Sequence, residues 1–414
     1  MIESRRSFDY EVFFRGIQKY INAFVFFLPL GVAKIFGVSV TFYIFLIIIV
    51  KFLKRKRKLF RLKRMHDYIL VMFAFILIIS IFFSEETYRH IPIEKDAITI
   101  VKIIYWLLVA LFFKTWASYI DFYQVSRSIF FGTVVTIAFY FSINRTLELM
   151  TQNSFAYVLV VSIPISMYYI FKKYNFITVI SISVLFLYFA IASTSRAGAI
   201  IVFIELVILL VLAKYIRKRF MPLLLLASFA ISIFFFPNVD MYRYELSNFI
   251  EPYSPDLSAL IRKGDEGLSI DKSWLDRRQM VVKGKIIFSE HPFLGIGFSH
   301  FKYYWVDMDL ISIYLNKSLE FYNRLSSHNT YIQFLAGAGI FSLLLIVYLE
   351  LIILKKGLRI IMDFKFNPGT FIFVSFLGMI IYFYVIAAGM GAITWFMFGY
   401  GLSLLSVDYA GKER

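Results

Sequence analysis

Three arginines and a histidine carry the chemistry that this sequence could do. Arg196 lies in the small-residue turn Ser193-Thr-Ser-Arg-Ala-Gly198, Arg277 and Arg278 follow Asp276, and His328 stands between Ser327 and Asn329. Guanidinium groups keep their charge at any working pH and grip phosphate oxygens two at a time. Where a phosphate departs, such cations stabilise the charge that develops on it. A histidine beside them can take a proton near neutral pH. Each feature also has a plainer reading. Arg196 could snorkel to lipid headgroups, since an arginine near a span end costs less than the ~2.5–3.5 kcal/mol it costs at the centre. Arg277 and Arg278 could be solvated, and His328 could belong to a helix cap made by Ser327 and Asn329. Asp307-Met-Asp309 has the look of a metal-binding pair, yet no further ligands stand near it and no metal site is expected. Without any cysteine, disulfides, thiolate metal sites and thiol nucleophiles are excluded.

The elements that must position these residues are apolar helices. Of 414 residues 60% are hydrophobic and 20% aromatic, and the mean hydropathy is +0.74. A soluble domain is about 45–50% apolar, so this excess, in repeated runs near span length, marks a polytopic membrane protein. Spans of this kind must be helical, because the bilayer offers no water to the backbone. The short alternating segments of an outer-membrane barrel are absent. A net charge of +17 could suggest nucleic acid, but the charges sit in short clusters between apolar runs, and no basic domain stands apart.

The densest basic run, Lys51 to Arg64, is expected inside, and it sets the phase of the rest. Met1 to Tyr20 is polar and charged, reads as cytoplasmic, and shows no cleavable signal. Spans are expected at 21–36, 39–52, 68–83, 99–113, 128–143, 153–171, 176–192, 199–213, 221–236, 331–354, 370–388 and 392–407. The fold expected is therefore all-α, with about twelve transmembrane helices and both termini cytoplasmic. Residues 1–237 carry nine spans, 238–327 form one large extracytoplasmic loop, and 328–414 hold three spans and the tail. Later basic clusters then fall inside, while His90, His291, His300, His328 and Arg196 fall outside. Within the loop, 276–290 reads as an amphipathic helix on the membrane surface, with Arg277, Val281, Gly284 and Phe288 on one face and Met280 and Ile287 beside them. His291-Pro292 ends it, and Gly295 and Gly297 make a turn. Arginines at headgroup depth beside a histidine fit a lipid-linked pyrophosphate, whose lipid lies among the helices.

At these residues the chain resembles the O-antigen ligase and polymerase superfamily of polytopic glycosyltransferases. Four blocks match in order: Asn153-Ser-Phe-Ala156, Ser195-Arg196-Ala-Gly198, Arg277 fourteen positions before His291-Pro292-Phe-Leu-Gly295-Ile-Gly297, and His328-Asn329 with Gly339 after nine residues. Ser342 stands where the family usually has a second glycine.

The resemblance implies a GT-C-like, metal-independent and cofactor-free transferase in the bacterial cytoplasmic (inner) membrane. Its donor would be an undecaprenyl-pyrophosphate-linked oligosaccharide, and its acceptor a glycan or lipid A-core. Membrane lipids and a chain-length regulator are the further partners implied; nucleic acid is not one. Arg196 and Arg277 would hold the pyrophosphate. Arg278 would assist, although the helix phase points it away. His328 would deprotonate or orient the acceptor hydroxyl. Asn153, Ser195, His291, Gly295, Gly297, Asn329 and Gly339 would shape the groove. The blocks do not separate a polymerase from a ligase, and the reading leans to polymerase. A lipid-linked sugar flippase is the non-enzyme alternative; it should carry polar residues at midplane on broken helices, whereas these spans are largely free of charge, with Glu205 the main exception.

Overall fold

The computed structural model describes residues 2–31, 34–35, 38–55, 59–60, 62, 64–83, 93–144, 150–193, 195–212, 272–307, 318–362, 367–385 and 391–404. The expected ninth span, the loop up to 271, His90, Asp309, the basic cluster at 214–219 and the tail from 408 lie outside these residues.

Among the described residues the chain is helical: α1 (Ile2–Phe27), α2 (Val40–Lys54), α3 (Met65–Phe82), α4 (Ile93–Trp116), α5 (Phe122–Phe139), α6 (Gln152–Lys173), α7 (Phe176–Ala192), α8 (Arg196–Leu212), α9 (Lys272–Glu290), α10 (Leu319–Asn323), α11 (Thr330–Met362), α12 (Pro368–Val385) and α13 (Ala392–Ser403). Five of these helical stretches are long and apolar enough to cross a membrane, beginning at Met65, Glu94, Phe122, Gln152 and Thr330. The first element differs from expectation. Its helix starts near the N-terminus and stops at Phe27, and Lys34–Ile35 pairs with Val38–Ser39 where the span was expected to continue. The reason is amphipathy: Phe14, Ile17, Ile21 and Phe24 form one buried stripe that begins within the charged segment.

The bundle is built around α6. Every residue from Phe155 to Phe171 is buried, by α5, α8 and α12, as an all-round apolar sequence requires. Pro164 lies inside this helix and cannot donate to its ladder. Neighbouring helices supply polar groups along it. The Ser126 hydroxyl of α5 accepts the Tyr169 N–H and donates to the Ile165 carbonyl, so it is inserted into the α6 ladder. Ser375 of α12 donates to the Val161 carbonyl. Such hydroxyls hold helices together in a bilayer, where hydrophobicity gives no preference for one apolar surface over another.

α11 is not one straight rod. Gly339 has φ +74°, outside helical backbone. The Ser342 hydroxyl reaches the Phe334 carbonyl at 3.0 Å, eight residues back; in a continuous helix that separation is ~12 Å. Tyr331 donates to Glu350 at 3.0 Å across nineteen residues, a separation of ~28 Å in a continuous helix. The chain therefore reverses at Gly339. A first arm, 330–338, folds back along a second arm, 340–362, whose 23 residues span ~34 Å. The expected tenth span, 331–354, is thus two elements.

A Cβ at Gly339 would lie 1.9 Å from the Phe293 carbonyl oxygen, in a backbone region that already strains other residues. Gly339→Ala is expected to cost about 2–5 kcal/mol, read as a lower melting temperature of the detergent-purified protein. Gly16→Ala, in an exposed α1 position with nothing within 4 Å of the added carbon, is expected to be neutral or to stabilise by up to about 1 kcal/mol.

Candidate functional site

Five segments distant in sequence meet at one end of the bundle. Asn153 lies in the first turn of α6, Ser195 immediately precedes α8, Asp276 and Arg277 lie near the start of α9, His328 precedes α11, and Tyr382 lies near the end of α12. Tyr382 donates its O–H to the Asn153 carbonyl at 2.6 Å. It also shares a side-chain hydrogen bond with Ser195, and with its own proton committed it must be the acceptor there. Ser195 Oγ lies 3.5 Å from Asn153 Oδ1, at the limit of a hydrogen bond. The positive charge of Arg277 acts on both Tyr382 and His328, which joins the α9 arginine to the other elements.

Arg196 is the first residue of α8, so its backbone adjoins Ser195; its side chain lies outside the described residues. The small residues around it have a steric reason. A Cβ at Gly198 would come within 2.6 Å of the Ala156 methyl carbon, so the turn runs against the start of α6. Arg278 is exposed, whereas Arg277 is half-buried, as the helix phase predicts.

His328 is the one non-glycine residue among those described with positive φ, at 51°. A conformation of this kind costs of order 1–3 kcal/mol and needs surroundings that enforce it. Those surroundings are provided by the next residue. Asn329 Oδ1 accepts the Ile332 N–H at the start of α11, its Nδ2 donates to the Tyr384 carbonyl at 2.8 Å, and its own carbonyl accepts from the Ser327 hydroxyl. The cap expected from Ser327 and Asn329 is present, and it fixes His328. Burial first, then the charge of Arg277, lowers the imidazole pKa below its ordinary value, with Asp276 opposing. The ring is therefore neutral at pH 7, as a proton acceptor must be.

The remaining blocks fall elsewhere. His291 is fourteen residues beyond Arg277, ~21 Å away along a helix. Its Nε2 lies 3.1 Å from the Tyr304 hydroxyl, which itself donates to Glu290. Gly295 and Gly297 have φ +65° and +103°, and they bring this turn against the break in α11. Ile296 N–H donates to the Ala336 carbonyl, Ile340 N–H donates to the Pro292 carbonyl, and a Cβ at Gly295 would lie 2.5 Å from Ala336 O. The turn is also tied to α3 and α4, through Phe298 N–H to the Ser80 hydroxyl and His300 to Asp96. Sequence reasoning placed all four blocks at one site; the structure brings Asn153, Ser195, Arg277 and His328 together and sets His291, Gly295, Gly297 and Gly339 as the brace behind them.

The amphipathic helix expected at 276–290 is present as α9, but its buried face is Met280, Lys283, Gly284 and Ile287 and it packs on protein. Arg277, Val281 and Phe288 are only half-buried. Lys283 displaces the expected face: fully buried, it donates to the Phe301 and Asn323 carbonyls at 2.9 and 2.7 Å. Asn323 in turn grips Val306 through both its N–H and its carbonyl. Asp276, hydrogen-bonded to Tyr322, and Tyr382 were not foreseen. Asp276 could have been found from its place beside Arg277, but nothing marks Tyr382 in an apolar run.

A bundle of apolar helices with a cation, a neutral imidazole and hydroxyls gathered at one end defines a multi-pass membrane protein with a polar site at the ends of its helices. A family model described as O-antigen ligase matches residues 181–347. Over that stretch, less than half of the chain, the sequence is similar to the O-antigen ligase family. A comparison with curated proteins gave no match. The matched stretch includes Ser195, Arg196, Arg277 and His328, and leaves out Asn153, Tyr382 and Glu350.

Burial lowers the Lys283 amine to about 7, against ~10.4 in an unfolded chain. Between these values the unfolded state holds the proton more tightly, so this lysine makes stability rise with pH from about 7 to about 10. The melting temperature of the parent relative to Lys283→Met is expected to climb across that window and to be level below it.

Proposed function

We propose that the protein is a glycosyltransferase that polymerises lipid-linked repeat units of a surface polysaccharide on the outer face of the bacterial cytoplasmic membrane. The observation that carries this is the meeting of Arg277 with a half-buried, neutral His328 at one end of the bundle. The acceptor hydroxyl loses its proton to His328 as its oxygen bonds to the anomeric carbon. The bond from that carbon to the undecaprenyl pyrophosphate breaks, and Arg277 and Arg196 hold the departing pyrophosphate, with Arg278 assisting. No metal takes part in this scheme. Basic residues close α2, α6 and α11 at Lys51 and Lys54, Lys172 and Lys173, and Arg359. The site lies at the start of α6, opposite its basic end, which supports placing it outside, with both termini cytoplasmic and about twelve spans in all. A second reading, transfer of the glycan to lipid A-core, is favoured by the ligase description of the matching family.

The deciding experiment supplies the purified protein with undecaprenyl-pyrophosphate repeat unit from its source bacterium as sole substrate. A ladder of longer lipid-linked glycans on a gel is the result expected. Transfer only after lipid A-core is added makes the protein a ligase, and no turnover with either counts against both. Arg277→Ala and Arg196→Ala should each slow transfer on the order of 10²–10³-fold, and unchanged donor turnover in both would sink the pyrophosphate role. His328→Ala should abolish most activity. In the parent, the rate should be level above pH 7 and fall only as His328 gains its proton, below the ordinary histidine value of ~6.5.

A further inference from the structure

We propose that Glu350, through Tyr331, is a positioning residue for His328; this rests on the reading of His328 as the proton acceptor. Glu350 lies on the second arm of α11 and is 4% exposed. A carboxyl inside an apolar bundle is costly and is kept only with a partner. Its partner is the Tyr331 hydroxyl, which donates to Oε2 at 3.0 Å. Tyr331 stands three residues after His328, on the short first arm. That arm has few turns of its own and is continued from a left-handed residue, so its direction must be set by tertiary contacts.

Two contacts do so. Asn329 fastens the start of the arm to the Tyr384 carbonyl of α12, and Tyr331 fastens it to Glu350 on the second arm. Immediately before them His328 holds its φ of 51°. Ser342, donating to the Phe334 or Gly339 carbonyl at the reversal, closes the fold but lies at its apex, away from the histidine. The Tyr331–Glu350 bond thus ties the two arms together close to His328. Glu350 acts here as an acceptor, so the role needs an oxygen and not a charge.

That distinction sets the test, on the full chain in detergent, with transfer assayed on the lipid-linked repeat unit and binding measured with undecaprenyl pyrophosphate. Tyr331→Phe is expected to lower kcat on the order of 10- to 100-fold, the scale of a small misplacement of a reacting group, with binding unchanged. Glu350→Gln, whose amide oxygen still accepts from Tyr331, should stay close to the parent. Glu350→Leu should match Tyr331→Phe, and the double variant should be no worse than either single one. The acid limb of the pH profile should not move in any of them. Full activity in Tyr331→Phe overturns the proposal. So does loss of activity in Glu350→Gln, which would make the carboxyl a proton carrier. Should Glu350→Leu fail to fold, Tyr331→Phe and Glu350→Gln decide. If His328→Ala remains active, it is the proton-acceptor reading that fails, whatever these variants do.

Discussion

A helix that breaks inside an apolar bundle must find new partners for the backbone groups it frees, because no water is there to take them. The reversal at Gly339 is the point where this protein meets that demand, and much of the site depends on how it is met. The Ala336 carbonyl receives the Ile296 N–H, the Ile340 N–H finds the Pro292 carbonyl, and Ser342 turns its hydroxyl back toward Phe334 and Gly339. In this light the histidine-proline-glycine turn supplies main-chain partners to a broken helix. Broken helices often mark transporters; here the freed groups are occupied by protein, so the break serves to orient the first arm of α11.

Two kinds of rigidity meet at His328. One is local: Asn329 caps the helix and reaches Tyr384. The other is remote, carried by α9, whose buried face is pinned through Lys283 and Asn323 to the loop core of Phe301, Val306 and Tyr322. α9 brings Arg277 toward the histidine, and α6, α8 and α12 bring Asn153, Ser195 and Tyr382 to the same end of the bundle. Preorganisation of this kind keeps charged and polar groups fixed before a substrate arrives.

Most of the helical architecture was legible because apolar runs of span length admit few other structures: α7, expected at 176–192, is Phe176–Ala192. The start of the chain was misread, because the stripe of Phe14, Ile17, Ile21 and Phe24 is diluted by charges that a hydropathy window averages away. The reversal at Gly339 left little trace, since both arms are apolar and a single glycine is compatible with a straight helix. Arg277 and His328 were legible as residues whose chemistry is unusual in such a chain. Tyr382 was not singled out because its partner Asn153 lies far away in sequence, and Glu350 because it meets Tyr331 only through the unforeseen reversal at Gly339.

The tie of the Gly295 turn to α3, α4 and α11 has a consequence for how such proteins can diversify. The stretch following α9 is stitched into the bundle by hydrogen bonds, from the Phe298 N–H to the Ser80 hydroxyl, between the His300 ring and the Asp96 carboxylate, and from the Ile296 N–H to the Ala336 carbonyl. A graft that exchanged this stretch alone between relatives would leave the donor's turn facing a foreign helix break, with amides and carbonyls out of register. The unit of exchange is larger: α9, the turn and both arms of α11 must travel together.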